Sequence, residues 1–215
     1  MYDTIIFDLD GTLLNTLDDL KDSLNFALAK HGYKTRTLEE VRRFVGNGVQ
    51  KLVQRALPEQ ASEDEINKCL DTFKEHYQTN MQNKTRPYDG IKELLTELKK
   101  DKYKMAIVSN KFDAAVKDLA KDYFGGLIDV AIGESPTVKR KPAPDSVFVA
   151  LKELNSDIKN AIFVGDSETD VQTAKNAGLP CVGVTWGFRT RDVLIKEGAD
   201  YIIDTPNELL EIIKK

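Results

Sequence analysis

The chain has 215 residues, of which 41% are hydrophobic and 31% charged, with a mean hydropathy of -0.39. Those values exclude a disordered, collagen-like or coiled-coil chain, and no apolar run approaches the roughly 18 to 20 residues needed to span a bilayer. The net charge of -4, with basic residues scattered along the chain, argues against binding of nucleic acid through its phosphate backbone.

The first residues, Met1 to Asp8, lack a basic n-region and reach a carboxylate early. No export signal is expected, and a cytoplasmic protein away from membranes is. Cys69 and Cys181 lie far apart in apolar surroundings, the pattern of two buried thiols rather than of a disulfide or zinc site. His31 and His76 stand beside no candidate nucleophile and are expected on helix surfaces.

In chain order, residues 4–7 predict a first buried strand. No strand is predicted between 15 and 85. A helix there carries Leu17, Leu20, Leu24 and Leu28. Thr37 and Ser62, each three residues before a glutamate, open two further helices as capping boxes. A fourth runs from 49 to 57, before Pro58. Four helices are too many for a loop and predict a small helical lid. Beyond it, apolar runs at 105–108, 128–132, 161–164 and 181–184, with a shorter one at 201–203, alternate with helical stripes. Residues 1–14 and 86–215 are thus expected to form an α/β core, a doubly wound and mostly parallel sheet, with residues 15–85 as an inserted all-α domain.

Each informative polar cluster follows a predicted strand: Asp8-Leu9-Asp10-Gly11-Thr12, Ser109-Asn110-Lys111, Lys141 in Lys141-Pro142-Ala143-Pro144-Asp145, and Gly165-Asp166-Ser167-Glu168-Thr169-Asp170. Ligands of open parallel sheets bind at that edge. If the strands gather Asp8, Asp10, Asp166 and Asp170, like charges ~4 Å apart repel by about 4 kcal/mol each at an effective dielectric near 20. Lys141 alone cannot offset four carboxylates. Oxygen-only ligands without His or Cys favour a hard divalent ion, Mg²⁺ first, and such a site attracts a phosphate dianion.

The set DxDGT, a serine after the second strand, KPxPD and GDxxxD resembles the haloacid dehalogenase-like phosphatase superfamily. The helical insert, with Arg43-Phe44-Val45-Gly46-Asn47-Gly48, resembles its phosphoglycolate phosphatase-like subgroup. The resemblance implies that Asp8 is a nucleophile forming an aspartyl-phosphate and that Asp10 is the acid and base. It implies phosphate contacts from Gly11, Thr12, Ser109, the backbone near Asn110, and Lys141. Mg²⁺ would take Asp8, the Asp10 carbonyl and Asp166, with Asp170 behind them acting through water or Lys141. Arg43, Asn47 and Lys51 in the lid, and Trp186 and Arg189 after the fifth strand of the core, are candidates for contact with the rest of a small phosphorylated metabolite. Pyrophosphatase, sugar phosphomutase and a catalytically silent ligand-binding protein remain alternatives; the oligomeric state is not legible.

Overall fold

The computed structural model describes residues 2–214. In chain order the elements are β1 (Thr4–Phe7), β2 (Leu14–Asn15), α1 (Leu17–Lys30), α2 (Leu38–Phe44), α3 (Val49–Ala56), α4 (Glu63–Asn80), β3 (Arg86–Pro87) and α5 (Ile91–Lys100). They continue with β4 (Lys104–Phe112), α6 (Asp113–Phe124), β5 (Val130–Glu134), α7 (Asp145–Glu153), β6 (Ala161–Gly165), α8 (Glu168–Ala177), β7 (Cys181–Val184), α9 (Arg191–Glu197), β8 (Tyr201–Ile203) and α10 (Glu208–Ile213). The chain divides into two compact units, residues 1–14 with 87–215, and residues 15–86.

The larger unit holds a six-stranded sheet in the order β5-β4-β1-β6-β7-β8, with every pairing parallel. Side-chain alternation decides which face each residue serves. Ile5, Phe7, Met105, Ile107, Ile162, Val164, Val182 and Val184 meet the apolar stripes of α5, α6 and α10. Their neighbours Ile6, Ala106, Val108, Ala161, Phe163 and Cys181 meet α7, α8 and α9. Strands buried on both faces read as continuous apolar runs, which is why these were visible in the sequence. From β1 the chain steps outward through β4 and β5, then returns past β1 to β6. The carboxyl ends of β4, β1 and β6 therefore flank the topological switch point.

The smaller unit is built from α1 to α4. Thr37 caps α2, with its own N–H and hydroxyl bonded to Glu40; Ser62 caps α4 in the same way with Glu65. Leu24, Leu28, Val41, Leu52, Val53, Cys69 and Phe73 are fully or almost fully buried there. The buried Asp19 carboxylate accepts the backbone N–H groups of Lys84 and Thr85, at 2.8 to 3.0 Å, which ties the segment after α4 back to α1. Four expectations need correction. His31 and His76 are half-buried rather than on the surface, because each ring reaches a hydroxyl of a neighbouring helix, Thr72 at 2.8 Å and Ser23 at 3.0 Å. Leu14–Asn15 and Arg86–Pro87 form a two-stranded ribbon where no strand was expected. The third expected strand, placed at 128–132, is β5 at Val130–Glu134. β4 does not stop at 108 but continues to Phe112, with its register to β5 shifting between Val108 and Phe112.

Candidate active site

Asp8 is the first residue beyond β1, and its N–H is fixed on the Val164 carbonyl of β6 at 2.9 Å. The turn that follows closes on Leu9, whose carbonyl accepts from Thr12, Leu13 and Leu14. Gly11 is required inside that turn on two counts. Its φ is +94°, and a Cβ there would stand 2.4 Å from Asp166 Oδ2. Gly187, on the other side, presses equally close, since its Cβ would meet the Asp166 Cβ at 2.3 Å. Asp166 itself follows β6. Its Oδ2 accepts the Phe188 N–H at 2.7 Å, and the Thr12 hydroxyl lies 3.5 Å from its Oδ1. The Thr12 hydroxyl thus faces Asp166. The Thr12 carbonyl accepts the indole N–H of Trp186 at 3.0 Å, which ties the loop after β7 to the Asp8 turn.

Lys141 lies at the centre of the cluster. Its buried ammonium donates to Asp8 Oδ1 at 2.6 Å and to Asp170 Oδ1 at 2.7 Å. Asp170 Oδ2 accepts the N–H and hydroxyl of Ser167 at the start of α8, so this carboxylate both caps a helix and braces the lysine. The other residues of the second cluster divide by strand alternation. Asn110 points toward the Lys141 loop and makes two bonds with the Lys141 backbone, accepting at 2.7 Å and donating at 3.0 Å. Ser109, buried, accepts the Lys111 N–H at 3.1 Å. The side chain of Asn110 thus sets the height of Lys141.

Asp8, Asp166 and Asp170 each offer a carboxylate oxygen, all within 4.8 Å of one another. Burial raises the Asp8 pKa to about 7; Asp170 adds repulsion, and Lys141 offsets only part of the rise. Burial, then the repulsion of Asp170 and Asp8, holds Asp166 well above the usual carboxylate range. Burial opposes the Lys141 ammonium, but the two carboxylates prevail and raise its pKa. The cluster carries more negative charge than its lysine compensates, the condition that favours binding of a hard cation.

Of the residues expected from sequence, Asp8, Asp10, Gly11, Thr12, Ser109, Asn110, Lys141, Asp166 and Asp170 all belong to the larger unit, at or after the ends of β1, β4 and β6 or on the loop after β5. Arg43 and Asn47 belong to the smaller one. Arg43 is exposed near the end of α2, and Asn47 has a φ of +64° in the Gly46–Gly48 turn. Lys51 reaches Gln54 at 2.9 Å. Arg189 is forked onto Glu168, with contacts of 2.7 and 3.1 Å. The sequence assigned no role to Lys111 within its cluster, nor to Gly187 or the Phe188 N–H beside Trp186. The period of a strand could have found Lys111, two residues beyond Ser109; nothing local marks the other two.

Residues 5–184 match the family model described as haloacid dehalogenase-like hydrolase. A phosphoglycolate phosphatase of Mesorhizobium japonicum is 38% identical over 195 residues, covering 88% of this chain and 85% of that protein. A protein of Caldanaerobacter subterraneus, provisionally named pyrophosphatase PpaX, is 34% identical over 98% of this chain and 94% of its own. Among solved structures, a protein of Lactobacillus delbrueckii provisionally named a phosphoglycolate phosphatase superposes with a TM-score of 0.96 at 37% identity, covering 99% of this chain and 98% of that one.

Proposed function

The chain belongs to the haloacid dehalogenase-like hydrolase family, and on that premise we propose that it is a Mg²⁺-dependent phosphatase of small phosphomonoesters, 2-phosphoglycolate first among them. The observation that carries this reading is the Asp8–Lys141–Asp170 arrangement beside Asp166, all buried at the carboxyl edge of the sheet. The phosphoglycolate phosphatase relative supports the choice of substrate.

Asp8 attacks phosphorus; a P–O bond to its carboxylate forms as the bond to the leaving alcohol breaks, giving an aspartyl-phosphate. Asp10, two residues on in the same turn, gives the alcohol its proton and then takes one from the water that cleaves the acyl phosphate. The Lys141 ammonium neutralises charge on Asp8 and on the transferring phosphoryl group. The Ser109 hydroxyl donates to a phosphoryl oxygen. Asp8, the Asp10 carbonyl and Asp166 are the residues that would hold Mg²⁺, and Asp170 fits less well because Lys141 and Ser167 already occupy its oxygens. When bound, the ion supplies positive charge to the phosphoryl oxygens.

Two measurements test this reading. Asp166→Asn removes one crowded negative charge while keeping an oxygen for the Phe188 N–H. In EDTA the variant is expected to melt above the wild-type protein. Mg²⁺ should raise the wild-type melting temperature and leave the variant unmoved. An equal Mg²⁺ shift in both proteins removes Asp166 from the metal site. The second measurement is phosphate release from a panel of phosphomonoesters with inorganic pyrophosphate and glucose 1-phosphate, in Mg²⁺ and in EDTA. Highest kcat/KM on phosphoglycolate, lost in EDTA, is expected. Preference for pyrophosphate would assign the activity that the Caldanaerobacter relative's name carries. In the same panel Arg43→Ala should raise KM for phosphoglycolate more than for uncharged sugar phosphates; equal losses would remove Arg43 from carboxylate recognition.

A further inference from the structure

Asp10 Oδ1 is buried and has no hydrogen bond, yet the ammonium of Lys111 lies 3.3 Å from it. That lysine is itself almost wholly inside the protein, its side chain 4% exposed against 20% for Asp10. Burial of an alkylammonium is costly unless it faces negative charge. Period-two alternation at the end of β4 brings it there: Ser109 and Lys111 share one face of the strand, while Asn110 turns to the Lys141 backbone.

We infer that Lys111 is a positioning residue for the proton transfer, its buried ammonium holding the Asp10 carboxyl in the orientation from which it serves the leaving alcohol. The inference rests on the reading of Asp10 as the proton donor. Lys111 touches no reacting atom in this scheme; it acts through Asp10. A proton donor matters most when the leaving group is a poor one. An alkoxide must be protonated as it departs, whereas p-nitrophenolate leaves readily without help.

The test compares the Mg²⁺-loaded full-length protein with Lys111→Met, Lys111→Arg, Asp10→Asn and the Lys111→Met/Asp10→Asn double variant. Two substrates suffice: p-nitrophenyl phosphate, and glycerol 2-phosphate, whose alcohol needs a proton and which carries no second anionic group. A misplaced catalytic group costs on the order of 10²-fold. Lys111→Met is therefore expected to lower kcat on glycerol 2-phosphate by about 10²-fold, with KM changed by only a few-fold. Its loss on p-nitrophenyl phosphate should be at least ~10-fold smaller. Lys111→Arg should recover most of the rate, and the double variant should be no slower than Asp10→Asn on the alkyl ester, because the two residues act as a unit. Equal kcat losses on both substrates, a rise confined to KM, or losses that multiply with those of Asp10→Asn would each overturn the inference. Asp10→Asn is the control on the premise: if it shows no dependence on leaving group, the assignment of Asp10 fails and Lys111 falls with it. If Asp10→Asn shows the dependence and Lys111→Met does not, Lys111 alone is wrong. Should Lys111→Met not fold, as judged by its melting curve, Lys111→Gln carries the same comparison.

Discussion

Asp8→Asn is expected to reduce phosphate release below detection on every substrate and to leave no acid-labile phosphate on the protein after rapid quenching. The amide keeps the size of the side chain and an oxygen for the Lys141 ammonium, now 2.6 Å from Asp8 Oδ1, so the geometry should persist while the nucleophile is lost. Hydrolysis of phosphate monoesters is among the slowest uncatalysed reactions, accelerated by enzymes by up to about 10²¹-fold. General acid–base catalysis accounts for only about 10² to 10⁴ of that, so no other group in the cluster can stand in for the nucleophile. Residual turnover within ~100-fold of wild type would eliminate the covalent route and leave direct attack by water. The same variant has a signature that needs no substrate. Because burial and the facing Asp170 raise Asp8 to about 7, the folded metal-free protein holds a proton that the unfolded chain releases in the ordinary carboxylate range. Stability without metal should therefore fall as pH rises from about 4 through about 7. Asp8→Asn should weaken that dependence and leave the part that Asp166 contributes, which melting curves in EDTA across the range would show.

The sequence exposed this site because its parts are short-range patterns attached to strands. DxDGT and GDxxxD each sit where an apolar run ends and KPxPD on the loop that follows another, and the parallel sheet brings those ends to one edge. The capping boxes at Thr37 and Ser62 were legible for a similar reason: a cap is settled within four residues. What stayed hidden depends on partners distant in the chain. The Gly187 close approach and the Phe188 N–H bond to Asp166 span some twenty residues of loop and helix, and in sequence they read only as an aromatic turn. Arg189 was a candidate for contact with the rest of the substrate; its fork onto Glu168 could not be seen, because nothing in the spacing of 168 and 189 announces it. Asn110 was expected to lend its backbone to phosphate; that its side chain also pins Lys141 could not be read from the sequence. The histidines went astray on the same ground. A helical pattern says which face a ring is on, but not that Ser23 or Thr72 will meet it across the bundle.

Lys141→Met should combine the greatest loss of stability with a loss of activity comparable to that of Asp8→Asn, and the two effects can be separated. The methionine fills the volume of the lysine stem, so the damage is electrostatic: Asp8 and Asp170, now 2.6 and 2.7 Å from one ammonium, are left facing each other and Asp166 in a buried site. Breaking a buried pair by removing one partner typically costs about 3–5 kcal/mol. The sign of its pH dependence follows from the carboxylates. Lys141, with its pKa raised by the two partners, stays charged through neutral pH in the wild-type protein, so its own titration adds no pH dependence there. In the variant the acids are relieved only by protonation, so the deficit in melting temperature should be small near pH 5 and large near pH 8. Lys141→Met/Asp170→Asn removes one of the opposed charges while leaving an oxygen to accept from Ser167 at the head of α8. That double variant should regain much of the lost stability at pH 8 and none of the turnover, because the cation that the phosphoryl group meets is still missing. Recovery of turnover along with stability would mean that Lys141 only neutralises the pocket. A melting deficit that does not change with pH would mean that packing, and not neutralisation of the buried carboxylates, is what the lysine sustains.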